Sequence, residues 1–112
     1  MPFVNYGEYK HNEGRFKMND ARILKSTKYC NLLRQGRVDG GDVVSALERI
    51  EIKSTGNIEI RFSFYKKNKN GKDCLVPRPL DLSEEELLLL FEDALQKRVL
   101  SPSFLQKLKE II

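Results

Sequence analysis

Residues 50–64, IEIKSTGNIEIRFSF, carry the pattern that decides the fold. From Ile58 to Phe64 apolar and polar side chains alternate, which is typical of a β-strand with one buried and one solvated face. Ile50 and Ile52 repeat this alternation on the other side of a glycine-containing turn. We therefore predict a β-hairpin whose isoleucine and phenylalanine side chains point together into one interior.

The charges of the two strands predict the register of this hairpin. A three-residue loop at residues 55–57, with Asn57 in the left-handed conformation, places Ile52 opposite Ile60. The same loop places Glu51 opposite Arg61, whereas a loop shifted by one residue would set two glutamates against each other. Favourable cross-strand charges therefore select the loop at residues 55–57.

The segments before the hairpin have helical spacing. Asn19 or Asp20 can cap a helix that runs to about Gln35, since its apolar residues recur at intervals of three and four positions. Residues 42–50 repeat that spacing over a shorter length. We predict two N-terminal helices.

A third strand should follow the hairpin. Asn70 and Gly71 form a strong tight-turn pair, and the apolar run from Cys74 to Val76 is long enough for a short edge strand. Pro77 ends this strand, because proline cannot donate a hydrogen bond to a sheet.

Two helices are predicted at the C-terminus. Ser83 and Glu86 form a capping box at the start of a helix that ends near residues 96–98. Ser101 followed by Pro102 begins the second helix in the favoured order of cap and then proline. The sequence thus predicts an α+β fold, a three-stranded antiparallel meander packed against two N-terminal and two C-terminal helices, in a single domain spanning residues 1–112.

The charge is distributed unevenly along the 112 residues, whose net charge is +4. Residues 1–78 contain 16 Lys and Arg against 9 Asp and Glu, a balance of +7, and residues 79–112 contain 4 against 7, a balance of −3. A basic body is followed by an acidic, leucine-rich C-terminal helical pair. This asymmetry indicates a polyanionic partner for the body.

Several classes of function find no support in the sequence. No apolar run is long enough to cross a membrane and the N-terminus lacks a signal-peptide pattern, so we expect a cytoplasmic protein. Cys30 and Cys74 have no metal-binding spacing and are expected to be buried, reduced thiols. Neither they nor His11 suggest a nucleophile with its base, and no phosphate-binding or metalloprotease motif is present. We expect a protein that is not an enzyme and has no cofactor or metal.

The best candidate site is a lysine-rich loop at the tip of the second turn. Phosphates would contact its lysines and a nucleic-acid base would stack on the preceding tyrosine. The same lysines could simply protect a sheet edge from aggregation. The first helix could carry a second basic patch, although an ordinary solvated helix exterior is the favoured interpretation of its charges. The candidate nucleic-acid-binding residues are Tyr65, Lys66, Lys67, Lys69, Lys72, Arg22, Lys25 and Lys28.

The two predicted N-terminal helices and the hairpin suggest a helix-turn-helix with a wing, but residues 42–48, DVVSALE, contain no side chain suited to reading bases. Residues 46–64, ALERIEIKSTGNIEIRFSF, resemble the helix-to-hairpin segment near the end of some large serine recombinases. No other part of the chain resembles a recombinase, and the resemblance assigns no site residue.

An alternative function rests on the C-terminal helices. Four consecutive leucines at residues 87–90 cannot all face one core, because adjacent helical residues are about 100° apart. Either the last helix covers them or a partner does. The alternative is therefore a protein-binding regulator or inhibitor, monomeric or homodimeric, that acts through Leu88, Leu89 and Phe104.

Overall fold

A computed structural model of the chain describes residues 23–112. Five antiparallel strands form one sheet in the order of the chain, and two helices follow. The strands are β1 (Lys25–Ser26), β2 (Cys30–Asp39), β3 (Val43–Ile52), β4 (Ile58–Lys67) and β5 (Asp73–Val76). The helices are α1 (Glu84–Gln96) and α2 (Pro102–Ile111).

The prediction of two N-terminal helices is wrong for the described residues. Residues 30–35 and 43–49, assigned to helices from their spacing, lie in β2 and β3, and the sheet has five strands rather than three. On β3 three consecutive residues, Ala46, Leu47 and Glu48, are all buried, because the strand is covered on both faces. Burial of both faces removes the alternation that would identify a strand. The start of the predicted first helix lies outside the described residues.

The predicted register of the hairpin is also wrong. The backbone N–H of Ile52 donates to the carbonyl of Asn57, and Arg61 lies opposite Glu48 rather than Glu51. The left-handed residue of this turn is Gly56, with a φ of 76°. The charge argument selected the wrong partner, because Arg61 pairs with Glu48, which the sequence analysis had assigned to the second predicted N-terminal helix.

The two faces of the sheet differ from the prediction as well. On β3 the even-numbered residues, among them Ile50 and Ile52, share a face with Glu59 and Arg61 of β4. We call this the inner face, and the opposite one the outer face. Ile60 and Phe62, expected in the interior, lie on the outer face and are 43% and 51% exposed. Apolar and polar side chains alternate along β4 as predicted, but the helices do not cover this part of the strand.

The sheet is curled around its inner face into a half-barrel. Arg37 of β2 forms an ion pair of 3.0 Å with Asp73 of β5, although in a flat sheet these strands would lie about 14 Å apart. Lys25 of β1 lies 5.9 Å from the centre of the Tyr65 ring on β4. These contacts bring the two ends of the sheet towards each other without hydrogen-bonding β1 to β5 among the described strands.

The helices cover β2 and β3 on the outer face. A cluster of buried apolar side chains joins them to the sheet, and its members are Leu47, Leu90, Ala94, Val99, Leu100 and Leu105. Gly36 lies directly under Ala94, and the neighbouring backbone N–H of Arg37 donates to Asp93 of α1 at 2.7 Å. One hydrogen bond from the β2 backbone and apolar packing against the outer face thus hold α1 in place.

The C-terminal predictions are confirmed. Ser83 accepts a hydrogen bond from the N–H of Glu86, whose side chain accepts one in return from the N–H of Ser83. Pro102 is the first residue of α2 and Ser101 is its cap. β5 is an edge strand, as expected, and Gly71 in the turn before it has a φ of 74°.

Candidate functional site

A buried carboxylate organises the inner face. Glu48 lies in the middle of β3 with no exposed surface, and its neighbours on the same face of that strand are apolar. Its two oxygens accept hydrogen bonds from four side chains. The donors are Gln35 Nε2 at 2.7 Å, Arg61 Nε at 3.0 Å and Nη2 at 2.9 Å, Ser63 Oγ at 2.7 Å, and Tyr65 Oη at 2.6 Å.

Strand pairing brings these groups together. Gln35 and Arg61 lie directly opposite Glu48 on the two neighbouring strands, and Ser63 and Tyr65 follow Arg61 on the same face of β4. Tyr65 lies four residues beyond Arg61 on β4, and its long side chain reaches back along the strand to bring its hydroxyl to the carboxylate. The five polar side chains form one network that only the folded sheet can assemble.

The network changes the acid–base properties of two of its members. Burial raises the pKa of Tyr65, and the hydrogen bond and charge of Glu48 raise it further. Burial acts to lower the pKa of Arg61, but the adjacent Glu48 carboxylate outweighs that effect and raises it. Tyr65 therefore stays a neutral donor and Arg61 a cation. This arrangement holds the five side chains in place.

Two pockets adjoin this network. The larger, of about 520 Å³, lies where the edges of β1 and β5 approach each other, and we call it the open side of the half-barrel. It is lined by Leu24, Lys25, Ser26, Leu32, Gln35, Tyr65, Lys72 and Asp73. A smaller pocket of about 210 Å³ shares Lys25 and Tyr65 with it and is also lined by Tyr29 and Arg61. Together they form a partly apolar hollow bordered by cations.

The structure brings some of the predicted nucleic-acid-binding residues together. Lys25 and Lys72, far apart in sequence, line the same pocket, and Tyr65 lies between them. Lys66 and Lys69 are exposed on the adjoining end of β4 and its turn, with Lys67 half-buried between them. Lys28 is exposed in the turn between β1 and β2. Arg22 lies outside the described residues.

The predicted role of Tyr65 does not fit its position. Its side chain is only 4% exposed and its hydroxyl is bound to Glu48, so a nucleic-acid base cannot stack on its ring in this structure. Tyr29, which lines the smaller pocket, is 58% exposed. If an aromatic ring on this side contacts a ligand, Tyr29 is the one available among the described residues.

The residues of the alternative surface are exposed. Leu88 and Leu89 of α1 are 62% and 53% exposed, and Phe104 of α2 is 48% exposed, whereas Leu90 is buried. The last helix therefore does not cover all four leucines. The cysteine prediction holds only in part, because both thiols are free but Cys74 is exposed and Cys30 alone is buried.

Sequence reasoning missed Glu48, Gln35 and Ser63. The sequence does contain a signal for Glu48, but it is visible only if β3 is recognised as a strand. Glu48 is then the one charged residue on a strand face otherwise made of Val44, Ala46 and two isoleucines. A charge in the middle of an apolar strand face requires partners. The helical interpretation hid this signal, since it placed Glu48 towards solvent.

Comparison with known proteins found no matching family model, no matching curated protein and no matching solved structure. None of the helices described in residues 23–112 has the length and apolar character needed to span a bilayer. Within the same residues, no cluster of His, Cys, Asp and Glu side chains is arranged to hold a metal ion.

Proposed function

We propose that this protein is a non-catalytic binding protein that associates with nucleic acid through the lysines around the open side of its half-barrel. The observation that carries the proposal is the convergence of Lys25 and Lys72 on one pocket, next to the exposed lysines of the turn between β4 and β5. Cations placed along a groove neutralise phosphates and release counterions, which supplies most of non-specific affinity for nucleic acid.

The charges around the pocket favour an anionic ligand. The acidic residues on this side are engaged by Arg37, which binds Asp39 at 3.0 Å and Asp73 at 3.0 Å. Neither Lys25 nor Lys72 forms an ion pair with another described residue. Two lysines beside the hollow therefore keep their positive charge available. Arg37, Lys25 and Lys72 carry three positive charges against the two carboxylates of Asp39 and Asp73, so this group keeps a net positive charge.

An exposed aromatic ring adds to the electrostatic argument. Tyr29 follows Lys28 in the turn between β1 and β2, and its ring is open to solvent beside the smaller pocket. Stacking of one base on one ring contributes about 1–3 kcal/mol and requires a base that is free of its own stack. The proposal therefore favours single-stranded over double-stranded nucleic acid.

The test is binding of labelled single- and double-stranded oligonucleotides, measured by fluorescence anisotropy over a range of salt concentrations. Lys69→Glu with Lys72→Glu should lower the affinity at low salt at least about tenfold and reduce the slope of log K against log salt by about 1.5. The matched control is Lys107→Glu with Lys109→Glu, which changes the net charge equally on exposed positions of α2. Absence of binding at low salt, or equal losses in both variants, would refute the proposal.

A second candidate function is supported by the exposure of Leu88, Leu89 and Phe104. Large apolar side chains grouped in solvent are typical of protein-binding surfaces, so the C-terminal helices would bind a regulatory target. A pulldown with purified, tagged protein after nuclease treatment separates the two functions. A partner that survives nuclease and is lost with Leu88→Ser and Leu89→Ser, but not with Ile111→Ser and Ile112→Ser, would support this candidate.

A further inference from the structure

Among the described residues, β5 covers only part of the β4 edge that points away from β3. β5 pairs with the last four residues of β4, from Phe64 to Lys67, and ends at Val76. From Ile58 to Phe62 no backbone group of the described residues pairs with this edge of β4. Among residues 23–112, half of this ten-residue strand therefore has no neighbouring strand at this edge.

The hydrogen bonds at both ends of β4 show which of its groups point outwards. Asn57 accepts a hydrogen bond from Ile52, and Lys67 donates one to Asp42, so the odd-numbered residues of β4 face β3. Successive residues of an antiparallel strand turn their N–H and C=O groups to opposite sides. The even-numbered residues Ile58, Ile60 and Phe62 consequently direct their backbone donors and acceptors to the open edge.

This edge lacks the usual protection against pairing. Natural sheet edges are short or carry lysine, proline or bulges. β1 is two residues long, and β5 is followed by Pro77 and Pro79. The open part of β4 has neither lysine nor proline, its two charged residues Glu59 and Arg61 are of opposite sign, and it exposes Ile60 and Phe62 on the outer face.

We propose that this edge binds a second copy of the same chain, with β4 pairing antiparallel to β4 of the partner about a two-fold axis through Ile60. In that arrangement Ile60 lies opposite itself and Ile58 lies opposite Phe62. All three residues present their hydrogen-bonding groups to the edge, so the ladder closes in phase. Glu59 of each copy lies opposite Arg61 of the other, which pairs opposite charges on the inner face.

The neighbouring symmetric registers are disfavoured. An axis through Glu59 would set two glutamates against each other, and an axis through Arg61 would do the same with two arginines. An axis between residues would place Ile60 opposite Arg61 and mix the two faces, since a shift of one residue exchanges them. The segment IEIRF is thus complementary to itself in one register only, which is what an isologous interface requires.

The chain beyond β5 leaves this edge towards the outer face. The Arg78 guanidinium lies 4.2 Å from the centre of the Phe64 ring, and that ring is on the outer face of β4. The backbone turns at Pro77, where the Arg78 N–H donates to the Val76 carbonyl, and no described residue after Val76 pairs with Ile58 to Phe62. The outer-face side chains of the two copies would then form one continuous apolar strip.

The test is the molar mass of the full chain, measured by size-exclusion chromatography with light scattering across a range of concentrations. The protein should pass from 13.0 kDa to twice that mass as the concentration rises. Ile60→Pro should remain monomeric at every concentration, because it removes an outward N–H that has no described partner within the protomer. Ile60→Val keeps the N–H and should still dimerise.

Two further measurements keep the test decisive if Ile60→Pro does not fold. Glu59→Lys should weaken the dimer about tenfold, because it faces Arg61 of the other copy in both halves of the interface. Hydrogen exchange at the Ile60 and Phe62 amides should slow as the concentration rises. Any one of four results would overturn the proposal. The first two are a protein that is monomeric at all concentrations and a protein that forms assemblies larger than dimers. The other two are a dimer unaffected by Ile60→Pro and Glu59→Lys, and protection of these amides in the monomer.

Discussion

Replacement of Glu48 by alanine should destabilise this protein more than any other single truncation on the inner face. The carboxylate has no exposed surface and accepts hydrogen bonds from four side chains. Without it, the Arg61 guanidinium loses its ion pair in a partly buried position and the neutral donors lose their acceptor. Desolvated groups without partners raise the free energy of the folded state.

The size of the effect follows from the kind of interaction that is lost. Removal of one partner of a buried ion pair costs about 3–5 kcal/mol, because the remaining charge is left uncompensated. Arg61 is 27% exposed and can recover part of its hydration, so we expect a loss of about 4 kcal/mol in the free energy of unfolding. For a small domain with a total stability of about 5–15 kcal/mol this is a large fraction.

Urea denaturation followed by far-ultraviolet circular dichroism would measure this loss. Tyr65→Phe and Ser63→Ala each remove one donor and leave the ion pair intact, so each should cost about 1–2 kcal/mol. These two variants report on the network even if Glu48→Ala does not fold. Glu92→Ala is the control, since this carboxylate is exposed on α1 and its loss should change stability by less than about 0.5 kcal/mol.

A loss of less than about 1 kcal/mol for Glu48→Ala would refute the reasoning. It would mean that water reaches the carboxylate and that the curled sheet does not enclose it. A cycle of Ser63→Ala and Tyr65→Phe adds an independent check. Because both hydroxyls bind the same carboxylate, the double variant should depart from the sum of the single effects.

Two other predictions test the inner face and the helix packing. The pKa of Tyr65 is raised by burial and by Glu48, so the stabilisation that its neutral hydroxyl provides is complete below the unfolded value of about 10 and is lost as the pH rises through the folded value. Urea denaturation at increasing alkaline pH should therefore show a steeper loss of stability in the wild type than in Tyr65→Phe, and equal slopes would contradict this. Gly36→Ala should cost about 1–3 kcal/mol, because a Cβ there would lie 2.6 Å from the Ala94 Cα and displace the helix backbone. Gly40→Ala is the matched control, because its Cβ would meet the Val43 Cγ2 at 3.4 Å and the Val43 carbonyl oxygen at 3.7 Å. Equal melting temperatures of the two variants would show that α1 does not pack as closely as described.

The elements that sequence reasoning predicted correctly are those whose signals lie within a few residues. The capping box of Ser83 and Glu86 and the start of α2 at Pro102 depend on contacts along one turn of chain. The turn at Gly71 requires a left-handed conformation that glycine adopts without steric cost. Such signals need no knowledge of what packs against them.

The strands β2 and β3 could not be recognised in the same way. β3 has buried residues on both faces, and its apolar spacing therefore matched a helix. β2 contains an irregularity between Leu32 and Arg34 that shifts its register, so Leu32 and Leu33 are both buried and the alternation is interrupted. The misleading pattern comes from packing on two sides in β3 and from the register shift in β2.

In the candidate site, too, some features could be predicted from the sequence and others depend on the tertiary structure. The lysines of the last turn were found from sequence, since a run of charges around Asn70 and Gly71 marks an exposed loop. Their proximity to Lys25 and the enclosure of Tyr65 depend on the curl of the sheet. The alternation in β4 was read correctly, but which of its faces is buried depended on where the helices pack.

By itself the amino-acid sequence determined the two C-terminal helices, the hairpin strand β4, the turn at residues 68–72 and the separation of a basic body from an acidic tail. Only the tertiary structure decided that residues 30–39 and 43–49 lie in strands, that Glu48 is buried among donors from two neighbouring strands, and that Ile60 and Phe62 face solvent. Local signals are governed by the conformational preferences of neighbouring residues. Burial is governed by surfaces that are distant in sequence. A strand that is packed on both faces therefore lacks the regular alternation of apolar and polar residues that would identify it.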